Sequence, residues 1–341
     1  MTQKRMGLAG AAVMVALVSG VVAFTLSGCT KKPVEVVIGV QVVPNGEALA
    51  KAKGWYEKEL GAKVTFKQFD SGKDVNTALA AKGIDIGLVG TTPAAVGISK
   101  GIPYDVFWLH DVIGDAEALV VKNKAGITTI KDLVGKKVAV PVSSTAHFSL
   151  LNALKLSGVN PADVKILDLQ PSDILAAWLR GDIDAAYVWH PTLGKLFAAD
   201  GTALINSQQL AEKGIVTAEV GVVRRDFAEK HPDIVANYVR IQIKAHTLYK
   251  SDIKDTSETI AKAFAIEPAE ALKQINGLVW VSAQDQLTDK YLGTSAKKGG
   301  LAQTLKSTAD FLVEQKAIEA APGLDAFQSA VNPKYIEAAL K

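Results

Sequence analysis

The chain has 341 residues but only one cysteine, five histidines and few aromatic side chains (6%). With Cys29 alone, its body holds no internal disulfide, no metal–thiolate cluster and no cysteine nucleophile. His110, His190, His231 and His246 are scattered without metal-ligand spacing, so neither a metal nor another cofactor is expected. No G-x-G-x-x-G, P-loop or H-E-x-x-H occurs. Gly97-Ile98-Ser99-Lys100-Gly101 does match G-x-S-x-G, but a nucleophile elbow needs a strand before it and a helix after it. Here the match follows the helical "PAAVGISKG" and reads as a helix end. Charge is also scarce. The net charge is +3, and Lys4 and Arg5 account for two of it, so +1 remains beyond residue 28. That balance argues against a nucleic-acid surface.

What is present begins at the N-terminus. "MTQKR" precedes an apolar run from Met6 to Leu26, the pattern of an export signal. The run is also long enough to span a bilayer. Leu26-Ser27-Gly28-Cys29 resembles the bacterial lipobox. That resemblance implies that residues 1–28 are a lipoprotein signal peptide and that Cys29 becomes the lipidated first residue. The alternative is an uncleaved anchor. Both place the body outside the cytoplasm and tethered to a membrane, and its roughly 310 residues suffice for two lobes.

Along that body, short β-rich runs alternate with helical stretches. "VEVVIGVQ", "KVTFKQF", "IDIGLVG", "EALVVKN", "KVAVPV", "VKILDL" and "DAAYVW" read as strands. Helices are expected from Glu47 to Leu60 and from Asp74 to Lys82, and almost throughout from Pro232 onward. The alternation predicts an α/β fold with parallel, helix-covered sheets. "ALAAKGIDIGLVGTTP" (78–93) echoes "AAWLRGDIDAAYVWHP" (176–191). Each copy ends where a strand's carboxyl end meets a helix start, the place where open α/β sheets bind ligands.

"VPVSSTAHFSLLNALK" (140–155) runs from strand to helix and sets Ser143, Ser144 and Thr145 at the junction. Hydroxyls and orphan N–H groups at a helix start make an anion site, but they also serve simple capping. A third alternative uses His147 as base on a serine; it requires a third group to orient the histidine, and no acid is visibly partnered to it. Thr91 and Thr92 before Pro93 repeat the pattern. Trp189, at a strand end, is either core or cleft wall.

Four blocks, "QFDSG", "KKVAVPVSSTAHFSLLNALK", "DLQPSDILAAWLRGDIDAAYVWHP" and "VVRRDFAEKHPDIV", resemble in order and spacing the solute-binding proteins of bacterial taurine ABC importers. That family extends to binding proteins for alkanesulfonates and nitrate and to NMT1-like proteins. The resemblance implies a two-lobed, type II periplasmic-binding-protein fold (a Venus flytrap) that closes on its ligand between the lobes. The expected lobes are 34–118 plus 220–341, and 119–219. It also implies a monomer that delivers a small sulfonate to an ABC permease, with no catalytic residues. Thr91, Thr92, Ser143, Ser144 and Thr145 would hold the sulfonate, and His147 and Trp189 would line the cleft. Glu117, Glu219 and the loop after Gln41, including Asn45, would meet the ammonium. The chain departs from the taurine pattern at three places: Asn45 stands for an acid, Glu219 for Asp, and Gly221 for Trp. These changes point to a reshaped amine end and to a relative of taurine, such as hypotaurine or a longer aminoalkanesulfonate. Other open alternatives are an alkanesulfonate or nitrate ligand, a ligand sensor and an exported hydrolase.

Cys29→Ala is expected to abolish incorporation of labelled fatty acid and to release the protein into the soluble fraction. Continued membrane association of C29A would instead indicate an uncleaved anchor.

Overall fold

In chain order the strands are β1 (Glu35–Val40), β2 (Lys63–Gln68), β3 (Ile86–Gly90), β4 (Tyr104–Ile113), β5 (Glu117–Lys122), β6 (Lys137–Val140), β7 (Lys165–Asp168), β8 (Ala185–Trp189), β9 (Gly201–Asn206), β10 (Ala218–Arg224) and β11 (Leu278–Val279). They belong to a computed structural model that describes residues 33–341; the signal segment and Cys29 lie outside the described residues. Two sheets form, ordered β11-β4-β10-β3-β1-β2 and β7-β6-β8-β5-β9. Helices cover both, giving two α/β lobes.

The sheets are mixed rather than parallel. β1 runs parallel to β2 and β3, and β6 parallel to β7 and β8. β10, however, pairs antiparallel with both β3 and β4, and β5 with both β8 and β9. The antiparallel members sit where the chain passes between sheets, because a strand arriving from the other lobe needs no covering crossover helix. The chain leaves the first sheet after Ile113, enters the second at Glu117 and is back in the first by Ala218. Each crossing therefore falls slightly N-terminal to the boundaries at 118/119 and 219/220.

Local chemistry explains most element ends. The expected helix from Glu47 to Leu60 is two helices, Gly46–Ala52 and Trp55–Glu59, separated at Gly54. Gly54 has φ +64°, a conformation that glycine adopts without a Cβ penalty. Ser71 begins the helix Gly72–Ala80 and donates its hydroxyl hydrogen to Asp74 at 2.9 Å. Both copies of the internal echo end as expected: β3 runs into the helix Thr91–Ser99, and β8 ends just ahead of Thr192–Ala198.

One large apolar core fills the first lobe, and two smaller ones pack on the faces of the second sheet. Trp189 touches all three. The lobes also meet away from the sheets. Helix Thr145–Leu156 of the second lobe sets Phe148 edge-on to Phe311 of helix Leu301–Glu314, with ring centroids 5.2 Å apart. Lys155 pairs with Glu314 at 2.8 Å.

Trp178 is fully buried in the second lobe, and its indole N–H donates to the Ala199 carbonyl at 2.8 Å. Trp178→Ala is expected to destabilise the protein by about 3–5 kcal/mol, read as a lower urea midpoint. A loss below about 1 kcal/mol would mean that the site collapses without a cavity.

Candidate functional site

The carboxyl ends of β3 and β8 converge on one cavity between the lobes, enclosing about 460 Å³ free of protein atoms, its mouth included. Gln41, Gly90, Pro93 and Glu219 come to it from the first lobe; Glu117, Ser144, Thr145, Trp189 and His190 come from the second. The close approach depends on a glycine. A Cβ added at Gly90 would lie 2.6 Å from Thr145 Cγ2, so the missing side chain lets one helix start meet the other.

The hydroxyls behave unequally. Ser144 caps the helix Thr145–Leu156, accepting from the His147 N–H at 3.1 Å. Thr145 donates to Glu117 at 2.6 Å. The Thr91 hydroxyl accepts from the Ala218 N–H at 3.3 Å, and the buried Thr92 hydroxyl has no protein partner. With Ser144 serving the His147 N–H, the N–H groups of Thr145 and Ala146 stay free of intrahelical bonds at that helix start.

Ser143 and His147 stand apart from the cavity wall. Ser143 adopts φ +68° and borders two depressions elsewhere on the surface. Only its backbone N–H meets the histidine, donating to His147 Nδ1 at 3.4 Å. Burial pushes His147 down to about 4 and keeps it neutral. The other nucleophile candidate, Ser99, donates its hydroxyl to the Ala95 carbonyl at 2.8 Å, inside its own helix. Neither serine has its hydroxyl on a base.

The cavity also carries buried acids beside the helix starts. Asp111 and Glu219 stand directly across from each other on the antiparallel strands β4 and β10, with Gly90 on β3 as Glu219's other neighbour. Asn45 is the support beneath them and lies behind the wall. Its side-chain oxygen accepts the N–H groups of Glu47 and Ala48, and its nitrogen donates to Glu219 at 2.9 Å and toward Asp111 at 3.4 Å. Asn45 therefore bridges two acids. Glu117 accepts from the hydroxyls of Thr145 and Ser207, the latter at 3.0 Å. Among the described residues none of these three acids has a lysine or arginine in ion-pair contact. Gly221 does not reach the cavity. A Cβ there would lie 3.2 Å from the buried Phe107 ring of the first lobe's core. Asp111, His190 and Ser207 were not foreseen; the one signal for Asp111 was an acid near the carboxyl end of the mostly apolar strand β4. No group of three His, Cys, Asp or Glu residues among the described residues is placed to hold a metal.

Burial without a counter-ion raises these carboxyls. Asp111 and Glu117 are pushed up to about 7, and Glu219 well above its ordinary value by burial and by the Asp111 charge. His190, on the same wall, is lowered to about 4 by burial. A raised carboxyl keeps its proton in the fold while the unfolded chain gives it up. The stability tied to it is present in full below about pH 4 and is lost as pH rises through about 7. Ligand-free stability is therefore expected to fall between about pH 5 and 7. Glu117→Gln should flatten that fall by up to about 1.4 kcal/mol per pH unit, read from thermal melts across the range. An unchanged slope would mean that Glu117 is solvated.

Residues 45–249 match the NMT1/THI5-like family. The taurine-binding periplasmic protein of Escherichia coli is 38% identical to this chain over 84% of it and 88% of that protein. A putative aliphatic sulfonates-binding protein of Bacillus subtilis is 29% identical over 92% and 97%. The alkanesulfonate-binding protein SsuA of Xanthomonas axonopodis, solved with MOPS bound, superposes with a TM-score of 0.71 at 23% identity, over 88% of this chain and 99% of that one. That last likeness shows the periplasmic-binding-protein fold. A family match across most of the lobed body and a relative alike over nearly its whole length lead to one assignment: this chain belongs to the NMT1/THI5-like family.

Proposed function

We propose that the protein is an extracytoplasmic solute-binding protein of an ABC importer. In this reading it captures taurine or a related aminoalkanesulfonate between its lobes and hands it to a membrane permease. It acts as a monomer tethered through lipid on Cys29. The observation that carries the reading is one cavity between the lobes that brings together helix-start N–H groups and buried acids with no lysine or arginine in ion-pair contact. A sulfonate keeps its negative charge at any biological pH, so it needs several donors and no proton transfer. N–H groups at a helix start, with the Ser144 hydroxyl beside them, are suited to that. Buried carboxylates without a cation are costly, and an ammonium between Glu117 and Glu219 offsets that cost. The relatives support the same ligand class. The extra methylene of Glu219 compared with aspartate favours a ligand whose amine end differs in reach from taurine's.

Titration calorimetry on the mature domain tests this with taurine, hypotaurine, a longer aminoalkanesulfonate, an amine-free alkanesulfonate and nitrate. An aminosulfonate is expected to bind roughly 10- to 100-fold tighter than its amine-free counterpart, the range for a hydrogen bond to a buried charge. Glu219→Gln should shrink that ratio. Equal affinity with and without the amine would overturn the zwitterion reading, and no binding by any of the five would overturn the sulfonate reading.

A further inference from the structure

Asp111 is the buried acid that capture of a sulfonate leaves without a role. It lies behind Glu219, out of reach of the cavity, fully buried on β4. Its Oδ2 lies 3.4 Å from the Asn45 amide nitrogen, and its Oδ1 has no partner. Glu219 faces it across the ladder, where opposed side chains sit about 5 Å apart at Cβ. Two carboxylates at that range in a dry site do not both ionise, and with no cation in contact burial disfavours even a single remaining charge, so the empty pair holds a proton on each carboxyl.

The charged and titratable groups around the pair do not relieve it. Glu117 of β5 adds a third acid from the second lobe, and Asn45 at the start of helix Gly46–Ala52 is neutral. His110, next to Asp111 on β4, is pushed down to about 3 and carries no charge. His190, at the end of β8, is also neutral. β3 offers Gly90.

We propose that Asp111 and Glu219 form a proton-exchange pair: in the empty cleft they hold protons between them, and a ligand's ammonium enters by displacing one of those protons to solvent. The inference rests on the reading of this cavity end as an amine site. The balance is simple. A neutral pair and one ammonium become a singly ionised pair ion-paired to that ammonium, with one proton released and only an O–H bond broken. Glu219 presents the charge to the ligand. Asp111 is a positioning residue that keeps Glu219 protonated until a cation arrives. The upward shifts of both groups agree with this order. The ligand class is thereby narrowed to primary and secondary ammonium ions, whose N–H groups can replace the departing O–H. A trimethylated ammonium cannot.

Calorimetry of taurine near pH 6, in buffers of low and high ionisation enthalpy, reads the proton directly. About one proton released per ligand is expected for the wild type, and less than about half of that for Asp111→Asn. Trimethylated taurine should bind at least tenfold more weakly than taurine. A binding enthalpy identical in all buffers, or equal binding of the trimethylated ligand, would overturn the proposal while leaving sulfonate capture intact. If taurine produces no heat, that result counts against the proposed function, and the infrared spectrum of ligand-free protein decides the pair. A protonated-carboxyl C=O band near pH 6 that D111N weakens supports it; its absence overturns it. Should D111N fail to fold, Glu219→Gln must weaken the same band.

Discussion

Everything about this cleft turns on three carboxyl groups taken out of water with no cation beside them. Glu219 reaches it from the first sheet with Asp111 behind it, and Glu117 reaches it from the second. Such an arrangement is unfavourable in an empty cavity and becomes favourable when a cation arrives. The surrounding polar groups serve this end. Asn45 ties the helix Gly46–Ala52 to the Asp111–Glu219 pair, and Thr145 and Ser207 hold Glu117.

The helix starts follow a different rule, in which backbone geometry matters more than side-chain charge. The free N–H groups at the start of helix Thr145–Leu156 exist because a helix cannot bond its own first turn. Gly90 matters as an absence, since any side chain there would collide with Thr145. The cavity thus carries two unlike devices: fixed backbone dipoles and titrating acids.

Much of the scaffold was legible in the sequence because apolar runs such as "IGLVG" and "AAYVW" have no other stable use than as buried strands. β4 and β10 were not. Their charged residues and irregular pairing break the apolar pattern where the site needs them. The mixed sheets were missed for a related reason: strand direction at a crossing depends on which lobe the chain comes from. Within "SST", residue types alone could not show which hydroxyl faces the cavity. The left-handed backbone at Ser143 turns that residue away, and Ser144 and Thr145 remain on the wall. Asn45 was placed near the amine end, but its role as a bridge between acids depends on Asp111, sixty-six positions away along the chain.

The helix Thr145–Leu156 touches the first lobe at both ends. Thr145 abuts Gly90, and the Lys155 side chain reaches Glu314 about three turns further on. A rod about 18 Å long held at two points does not hinge in its middle. Loosening of its far end is therefore transmitted to the cavity as a tilt of the donor groups, and a pull on Glu314 would act on the cavity wall like a hand on a lever.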